Sequence, residues 1–409
     1  MSAADIFITV AIIAVLCVIT IAANYADRSR SASTRRSVFA ALLLINGLIV
    51  MVYGVLQVAA AYSSSEDAPK KSDAWISFAV AIVMATATTA LMSRAVRERL
   101  GRFFPRGSAA VQEHRAVVLT PEQFKVPNAD SAGTPLFPQM LNYYTAETRQ
   151  QAEGTQIWNI PSARSSILAQ TGPYGFNPAS LVHMLALVFI CYLIGNTIVN
   201  FVLGGGLSGV AEEYSTSGLT STDLLLNMLP MVVLPVAGVG LGIRRNGRQV
   251  LDRLGLKLPT LDGLGMGIGA AIGLIIFATI MAALWQTLVS PETFEQQTEA
   301  SEALTNSVTT IGLAFLVAAT AAIGEEIAFR GAMQPIFGFW PTALIFALTH
   351  IQYTLTPASL IILGVALVFG WLRARYNTSV AMIAHFLYDF IPLALFVVYP
   401  DAVLLLHLH

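Results

Sequence analysis

Long runs of apolar residues, separated by short charged connections, dominate this sequence. A helix of about 20 apolar residues crosses the ~30 Å hydrocarbon layer of a bilayer. Hydrophobic residues make up 55% of the 409 residues and charged residues only 11%, whereas a soluble globular chain carries about 25% charged residues. The sequence therefore predicts an all-α protein, a polytopic bundle of transmembrane helices.

Charges and clusters of Gly or Pro delimit about ten candidate spans. The first has no basic n-region and is followed by arginines, so it is predicted to be an uncleaved span and not a signal peptide. The predicted spans are residues 5–23, 38–61, 75–93, 179–202, 224–243, 262–286, 308–329, 337–350, 358–372 and 378–399.

Arg and Lys concentrate in every second connection, which sets the predicted orientation. Examples are the arginine cluster between residues 94 and 106 and the basic connection between residues 244 and 257. The connections between the basic ones are acidic or nearly free of bases. Because basic connections face the cytoplasm, the alternation predicts an N-terminus outside.

The chain divides into three predicted parts. Residues 1–93 form a three-span N-terminal membrane unit, and residues 94–178 form a polar cytoplasmic segment with scattered prolines and no sustained helical period. Residues 179–409 form a compact seven-span body. In its sixth span, Gly265, Gly269 and Gly273 are four apart, which predicts that a neighbouring helix packs closely there.

The net charge and the positions of the cysteines argue against nucleic-acid binding and against cysteine-based cross-links or metal sites. The net charge is -1, so the basic surface that nucleic-acid binding requires is absent and no nucleic-acid partner is expected. Cys17 and Cys191 both lie inside apolar runs, which indicates neither a disulfide framework nor a thiolate metal site.

Ionisable side chains crowd into the last four spans. Such residues are costly in lipid, so each is a candidate functional residue. They are Glu325, Glu326, Arg330, His350, His385 and Asp389.

Helix geometry separates the two glutamates. Glu326 and Arg330 are four apart, so they share a helix face and can form an ion pair. Glu325 is turned about 100° away. We expect Glu326 to be structural and Glu325 to be available as a general base.

Two further helices each offer one polar face. Phe346 with His350, and His385 with Asp389, are also four apart, so an aromatic wall and an imidazole share one face, and Asp389 can orient the second imidazole. Burial of these faces requires the helices to converge. Their depth predicts a cluster that opens toward the cytoplasm.

These residues resemble the motifs of a known family. Glu325-Glu326-Ile-Ala-Phe-Arg330 resembles the EExxxR signature of the CPBP family of intramembrane proteases, which includes CAAX prenyl endopeptidases of the Rce type and bacteriocin-processing or immunity relatives. Phe346 to His350 is similar to its FxxxH motif, and His385 to Asp389 to its HxxxN/D motif. The short loop at Arg253 to Leu256 is similar to one that often precedes the family core. The resemblance covers roughly residues 179–400 and makes the seven-span body a CPBP-like protease core.

The resemblance implies a role for each residue. Glu325 and His350 would activate a water molecule, while His385 and Asp389 would stabilise the oxyanion or orient the substrate. Glu326 would shape the site, with Arg330 and Phe346 as structural residues. The family commonly has Asn in place of Asp389, and an ionised aspartate cannot donate to an oxyanion. We therefore assign donation mainly to His385 and orientation to Asp389.

Metal dependence is left open by the sequence. Glu325, His350, His385 and Asp389 form an N/O ligand set that suits Zn²⁺ or a similar divalent ion. The zinc-binding HExxH pattern is absent, so a metal-free, glutamate-dependent mechanism is preferred, and a divalent metal such as Zn²⁺ stays the alternative.

The predicted function is an intramembrane endopeptidase in the plasma (inner) membrane of a prokaryote. Its partners would be membrane lipid and a hydrophobic or lipid-anchored polypeptide substrate. One alternative is a non-catalytic immunity or scaffold relative. Another is an ion- or proton-coupled transporter, which predicts unwound half-helices and an inverted repeat that the sequence does not show.

Overall fold

Helices build the whole framework of this protein, which confirms the predicted all-α class. The structure is a computed structural model that describes residues 3–63, 70–105, 118–119, 156–157, 175–350 and 359–399. The N-terminal part contains α1 (Ala3–Arg28), α2 (Ala32–Ala61), α3 (Lys71–Met92) and the short α4 (Arg94–Leu100).

The rest of the chain is a second group of helices. A π-helix, π1 (Glu326–Met333), directly follows helix α11 (Ile311–Glu325). It begins at the second glutamate of the EExxxR sequence and contains the rest of that sequence. The elements are α5 (Leu181–Leu203), α6 (Gly206–Ser217), α7 (Ser221–Gly238), α8 (Gly247–Leu254), α9 (Leu261–Leu288), α10 (Pro291–Asn306), α11 (Ile311–Glu325), π1 (Glu326–Met333), α12 (Gln334–Phe337), α13 (Phe339–Thr349), α14 (Ser359–Arg375) and α15 (Thr378–Val398).

Each predicted span overlaps a helix, although the fifth, 224–243, extends past the end of α7 at Gly238. Within the described residues, seven helical segments are long and apolar enough to cross a bilayer: α1, α3, α5, α7, α9, α15 and the continuous segment Ile311–Phe337. Helix α13 is apolar but shorter. The count of ten spans and the outside N-terminus stay predictions.

The predicted polar segment 94–178 lies mostly outside the described residues. Its first residues form α4, and two short strands, β1 (Val118–Leu119) and β2 (Gln156–Ile157), pair antiparallel. Residues 106–117, 120–155 and 158–174 lie outside the described part.

The prediction for the glycine stripe of α9 is wrong for contacts with the described part of the chain. A Cβ on Gly265, Gly269 or Gly273 would meet no atom of the described residues within 4 Å. A Cβ on Gly267 would instead lie 3.3 Å from the carbonyl oxygen of Val380 in α15. Two residues of offset turn a helix by about 200°, so α15 packs on the opposite face.

Asp27 near the end of α1 joins the N-terminal unit to the body. Its side chain is 6% exposed. It accepts hydrogen bonds from the Ser180 hydroxyl at 2.5 Å and from the Leu181 amide at 2.8 Å, where α5 begins. Arg244 and Arg35 lie 3.3 and 3.5 Å from its carboxylate. A carboxylate stabilises a helix N-terminus whose first amides lack partners, so α1 caps α5 from a distance.

The basic connections meet at one face of the bundle. Arg244 contacts Asp27, Arg97 of α4 donates to the Pro178 carbonyl at 2.7 Å, and the Thr378 amide donates to the Gly255 carbonyl at 3.0 Å. We call this end of the bundle the basic face.

The Asp27 contacts predict a stability effect. Asp27→Ala removes the cap of α5 and leaves Arg244 without its carboxylate, so we expect a loss of about 2–3 kcal/mol, as for hydrogen bonds to charged groups. Thermal and denaturant unfolding of the purified full chain in detergent measures it. Asp252→Ala, which removes an exposed carboxylate 3.6 Å from Lys257, should change stability by less than about 0.5 kcal/mol. Equal effects of the two variants would contradict the capping role.

Candidate active site

The predicted site residues meet where π1, α13, α14 and α15 pack together. Glu326 and Arg330 lie on π1, Glu325 is the last residue of α11, and His350 is the C-cap residue directly after α13. Phe346 lies within α13, and His385 and Asp389 lie within α15.

A buried ion network forms the centre of the site. One oxygen of Glu326, Oε1, lies 2.9 Å from Arg330 Nη1 and 3.0 Å from His385 Nδ1. The side chains of Glu326, Arg330 and His385 are 0%, 1% and 7% exposed. The predicted pairing of Glu326 with Arg330 is therefore present. Because a buried charge is tolerated only when it is paired, this contact is a structural requirement of the fold.

Aromatic rings surround the Arg330 guanidinium. Its Cζ lies 4.2 Å from the ring centroid of Phe346, 5.4 Å from that of Phe369 and 6.0 Å from that of Phe329. Arg330 Nη2 also donates to the Ala366 carbonyl of α14 at 3.2 Å. Aromatic faces attract a cation more strongly where water is excluded, so the rings and the carboxylate hold the charge together.

Pro335 explains why two backbone carbonyls of π1 accept hydrogen bonds from side chains of other helices. A proline has no amide hydrogen, so Pro335 cannot donate to the Arg330 or Gly331 carbonyls that an i→i+5 or i→i+4 helix would assign to it. Arg373 Nε donates to the Arg330 carbonyl at 3.2 Å, and Arg253 Nη1 donates to the Gly331 carbonyl at 2.8 Å. Two arginines from α14 and α8 thus satisfy carbonyls that the widened helix leaves free.

His350 is held in a defined orientation by its own helix. Its Nδ1 lies 2.9 Å from the carbonyl oxygen of Phe346, one of the last carbonyls of α13, which lack a backbone amide donor in the helix. The Thr349 hydroxyl donates to the same oxygen at 2.7 Å. A carbonyl only accepts, so the ring donates from Nδ1, and in the neutral ring Nε2 carries the lone pair. Nε2 lies 3.9 Å from Oε2 of Glu325.

The pair of Glu325 and His350 is more accessible than the ion network. Their side chains are 22% and 23% exposed. Oε2 of Glu325, the oxygen that faces His350, is itself buried and has no hydrogen-bond partner among the described residues. The structure therefore places Glu325 apart from the buried Glu326, as the helix geometry predicts.

His385 lies between two carboxylates. Its Nδ1 faces Glu326, and its Nε2 lies 3.3 Å from Oδ2 of Asp389, whose side chain is 24% exposed. The Phe369 ring stacks on the imidazole at 4.7 Å. Donation from both nitrogens at once would require an imidazolium.

The six predicted ionisable residues therefore form two adjoining groups. Phe346 lies between them, with its ring centroid 4.6 Å from that of His350 and 6.3 Å from that of His385. The predicted contact of Asp389 with His385 is present.

The four proposed metal ligands do not form one ligand sphere. The described part of the chain has no group of three or more His, Cys, Asp or Glu side chains placed to hold a metal ion. Both ring nitrogens of His385 already face carboxylate oxygens. His385 would have to break one of these contacts to ligate an ion, so the residues do not fit the metal set as they stand.

Three side chains contact the site residues although the sequence did not predict it: Phe369, Arg253 and Arg373. Phe369 stacks on His385 and faces Arg330 from α14. An apolar residue in an apolar span gives no signal of such a role. Arg253 lies in the segment that resembles the family's pre-core loop, but the predicted loop is wrong at its start, because Arg253 and Leu254 are the last residues of α8 and the chain turns only at Gly255. The resemblance assigned Arg253 no contact.

Residues 307–391 match the family model described as "Rce1-like: Type II CAAX prenyl endopeptidase Rce1-like". The matched segment contains all seven predicted site residues and confirms the resemblance to the CPBP proteases. It does not include α1 to α10. No curated protein and no solved structure matches the chain.

The different environments of the two glutamates predict different effects on stability. Arg330→Met leaves the buried Glu326 with one partner fewer, and removal of one partner of a buried pair costs about 3–5 kcal/mol. Glu325→Gln changes a partly exposed group and should cost less than about 1 kcal/mol. Unfolding of both variants in detergent, followed by circular dichroism, measures the difference. Wild-type stability of Arg330→Met would contradict the structural role of the pair.

Proposed function

We propose that this protein is an intramembrane endopeptidase that hydrolyses peptide bonds of membrane-associated polypeptides. The observation that carries the proposal is the facing pair of Glu325 and His350. The Phe346 carbonyl fixes Nδ1 of His350, so the lone pair of Nε2 is directed toward the Glu325 carboxylate. The match to the Type II CAAX prenyl endopeptidase model supports the same class of reaction.

The pair is suited to the activation of water. The 3.9 Å between Nε2 and Oε2 is too long for a direct hydrogen bond, and one water molecule can donate to both atoms. We propose that this water attacks the scissile carbonyl carbon as Glu325 or His350 takes its proton. When the intermediate collapses, the C–N bond breaks, and the same proton passes to the leaving amine.

His385 is the proposed donor to the developing oxyanion. Its Nε2 faces the accessible side of the ion network, where the partly exposed Asp389 lies. Nδ1 stays bound to Glu326 and keeps the ring in place. We propose that the oxyanion shares or replaces the contact with Asp389, which otherwise orients the ring. Glu326 and Arg330 then act as positioning residues.

The proposed site opens toward the cytoplasm. Arg373 and Arg253 reach the backbone of π1 from the basic face, and basic connections face the cytoplasm. We propose that the protein lies in the plasma (inner) membrane of a prokaryote and that hydrophobic or lipid-anchored polypeptides reach the site from the bilayer.

A non-catalytic relative is the second candidate function. It is favoured by the engagement of both nitrogens of His385 with carboxylates, which would suit a purely structural network.

The proposed hydrolysis uses only the chain's own residues, because the four-residue metal set does not fit this arrangement.

Removal of either member of the facing pair should abolish hydrolysis. General-base catalysis contributes about 10²–10⁴-fold, so Glu325→Gln and His350→Ala should each lower kcat at least about 100-fold. The probes are a farnesylated peptide that ends in a CAAX sequence and an unmodified hydrophobic peptide, incubated with the purified full chain in detergent. Mass spectrometry of the products measures cleavage.

The control for this experiment is Glu299→Gln in α10, an acidic position outside the site. It should leave both cleavage and stability unchanged. Cleavage by wild type that persists in Glu325→Gln and His350→Ala would overturn the assignment. Complete absence of cleavage with wild type on both probes would favour the non-catalytic candidate.

Substitutions of Asp389 test its orienting role. Asn can accept from His385 Nε2 and donate to an oxyanion through its amide nitrogen, so Asp389→Asn should retain activity within about tenfold of wild type. Asp389→Ala removes the orienting group and should lower kcat by about 100-fold, comparable to the loss of one oxyanion donor. Equal inactivity of both variants would show that the negative charge is itself required.

A further inference from the structure

A large apolar cavity separates the N-terminal helices from the body, on the side of π1 away from the ion network. Its volume is about 1160 Å³, and its walls come from α1, α2, α5, α7 and π1. None of Glu325, His350, His385 or Asp389 lines it. Small-molecule pockets commonly measure roughly 300–1,000 Å³, so the cavity is suited to a larger molecule.

The cavity is as deep as one leaflet of a bilayer. Along α5 its lining runs from Val182 to Leu193, roughly 17 Å at about 1.5 Å of rise per residue. The hydrocarbon layer is about 30 Å thick, so the cavity reaches about halfway across. Its deeper walls are mostly apolar and include Leu16 of α1, Ile45 of α2 and Leu234 of α7, and the polar Asn46 and Tyr192 there bond to each other. This shape is suited to acyl chains.

Arginines line the end of the cavity at the basic face. They are Arg102, Arg244, Arg245 and Arg253. Among the described residues that line the cavity, Glu98 is the one acidic side chain, and its carboxylate lies 2.8 Å from Arg94. Arg244 shares Asp27 with Arg35. The end of the cavity at the level of the lipid headgroups is therefore positively charged.

We propose that this cavity binds an anionic phospholipid, with its phosphate against the arginines and its acyl chains between α1, α5 and α7. A basic pocket between transmembrane helices is the typical binding site for such headgroups. A zwitterionic lipid would satisfy the apolar walls but would not balance the charge of the arginines. The proposal does not depend on the proposed proteolytic function.

The bound lipid would contact the helix that carries the motif. Ala328, Ala332 and Met333 of π1 line the cavity, and Glu326 and Arg330 of the same helix form the ion network. The lipid would therefore support π1 from the side opposite to the site.

Native mass spectrometry of the delipidated full chain in detergent tests the proposal. Dioleoyl-phosphatidylglycerol should bind at least tenfold more tightly than dioleoyl-phosphatidylcholine. Inorganic phosphate at millimolar concentration should not displace the bound lipid, because the apolar walls hold the acyl chains.

Two variants address the two ends of the cavity. Arg102→Gln should weaken phosphatidylglycerol binding about fivefold, the effect of one basic residue near an anionic headgroup. Ala186→Phe places a ring where Ala186 lines the apolar part and should weaken binding of both lipids at least tenfold. Arg99→Gln in α4 and Ala282→Phe on the exposed face of α9 are the matched controls, and neither should change binding.

Three results would overturn the proposal. They are equal affinity for the two lipids, equal effects of the variants and their controls, or displacement of the lipid by phosphate alone. Thermal unfolding of each variant identifies loss of folding. If Ala186→Phe does not fold, the exposed Arg102→Gln still decides the outcome, because unchanged binding in that variant contradicts the role of the arginines.

Discussion

The contact that the rest of the site depends on is the one between Glu326 and its two cationic partners. A carboxylate with no exposed surface is stable in an apolar interior only when its charge is balanced. Arg330 comes from the same helix, and His385 comes from α15. Arg330 in turn binds the Ala366 carbonyl of α14 and faces Phe346 of α13. One buried charge therefore holds four elements in a fixed relation.

The π-helix that carries Glu326 and Arg330 depends on other helices to complete its backbone hydrogen bonds. A proline two residues after π1 removes an amide donor, and the freed carbonyls accept from Arg253 and Arg373. These arginines approach from the basic face. π-helices are frequent at functional sites.

The side chains of the two adjacent glutamates point about 100° apart around the helix, so they have different physical environments. Glu326 is sealed into the ion network, whereas Glu325 is partly exposed beside His350. The orientation of His350 comes from the Phe346 carbonyl at the end of its own helix, which also accepts from the Thr349 hydroxyl, so the motif spacing from Phe346 to His350 has a direct hydrogen-bonding meaning. A rigid network and an accessible pair lie side by side, with Phe346 between them.

The sequence alone determined the helical membrane class, the position of each apolar segment and the pairing of Glu326 with Arg330, since these depend on local hydropathy and on spacing along one helix. It also indicated that Glu325 and Glu326 differ. Only the tertiary structure decided that His385 binds two carboxylates, that Phe369 stacks on it, and that α9 uses Gly267 and not the stripe at Gly265 for packing. Those facts join residues far apart in the chain, and the periodicity of one helix does not reveal which face its neighbour covers.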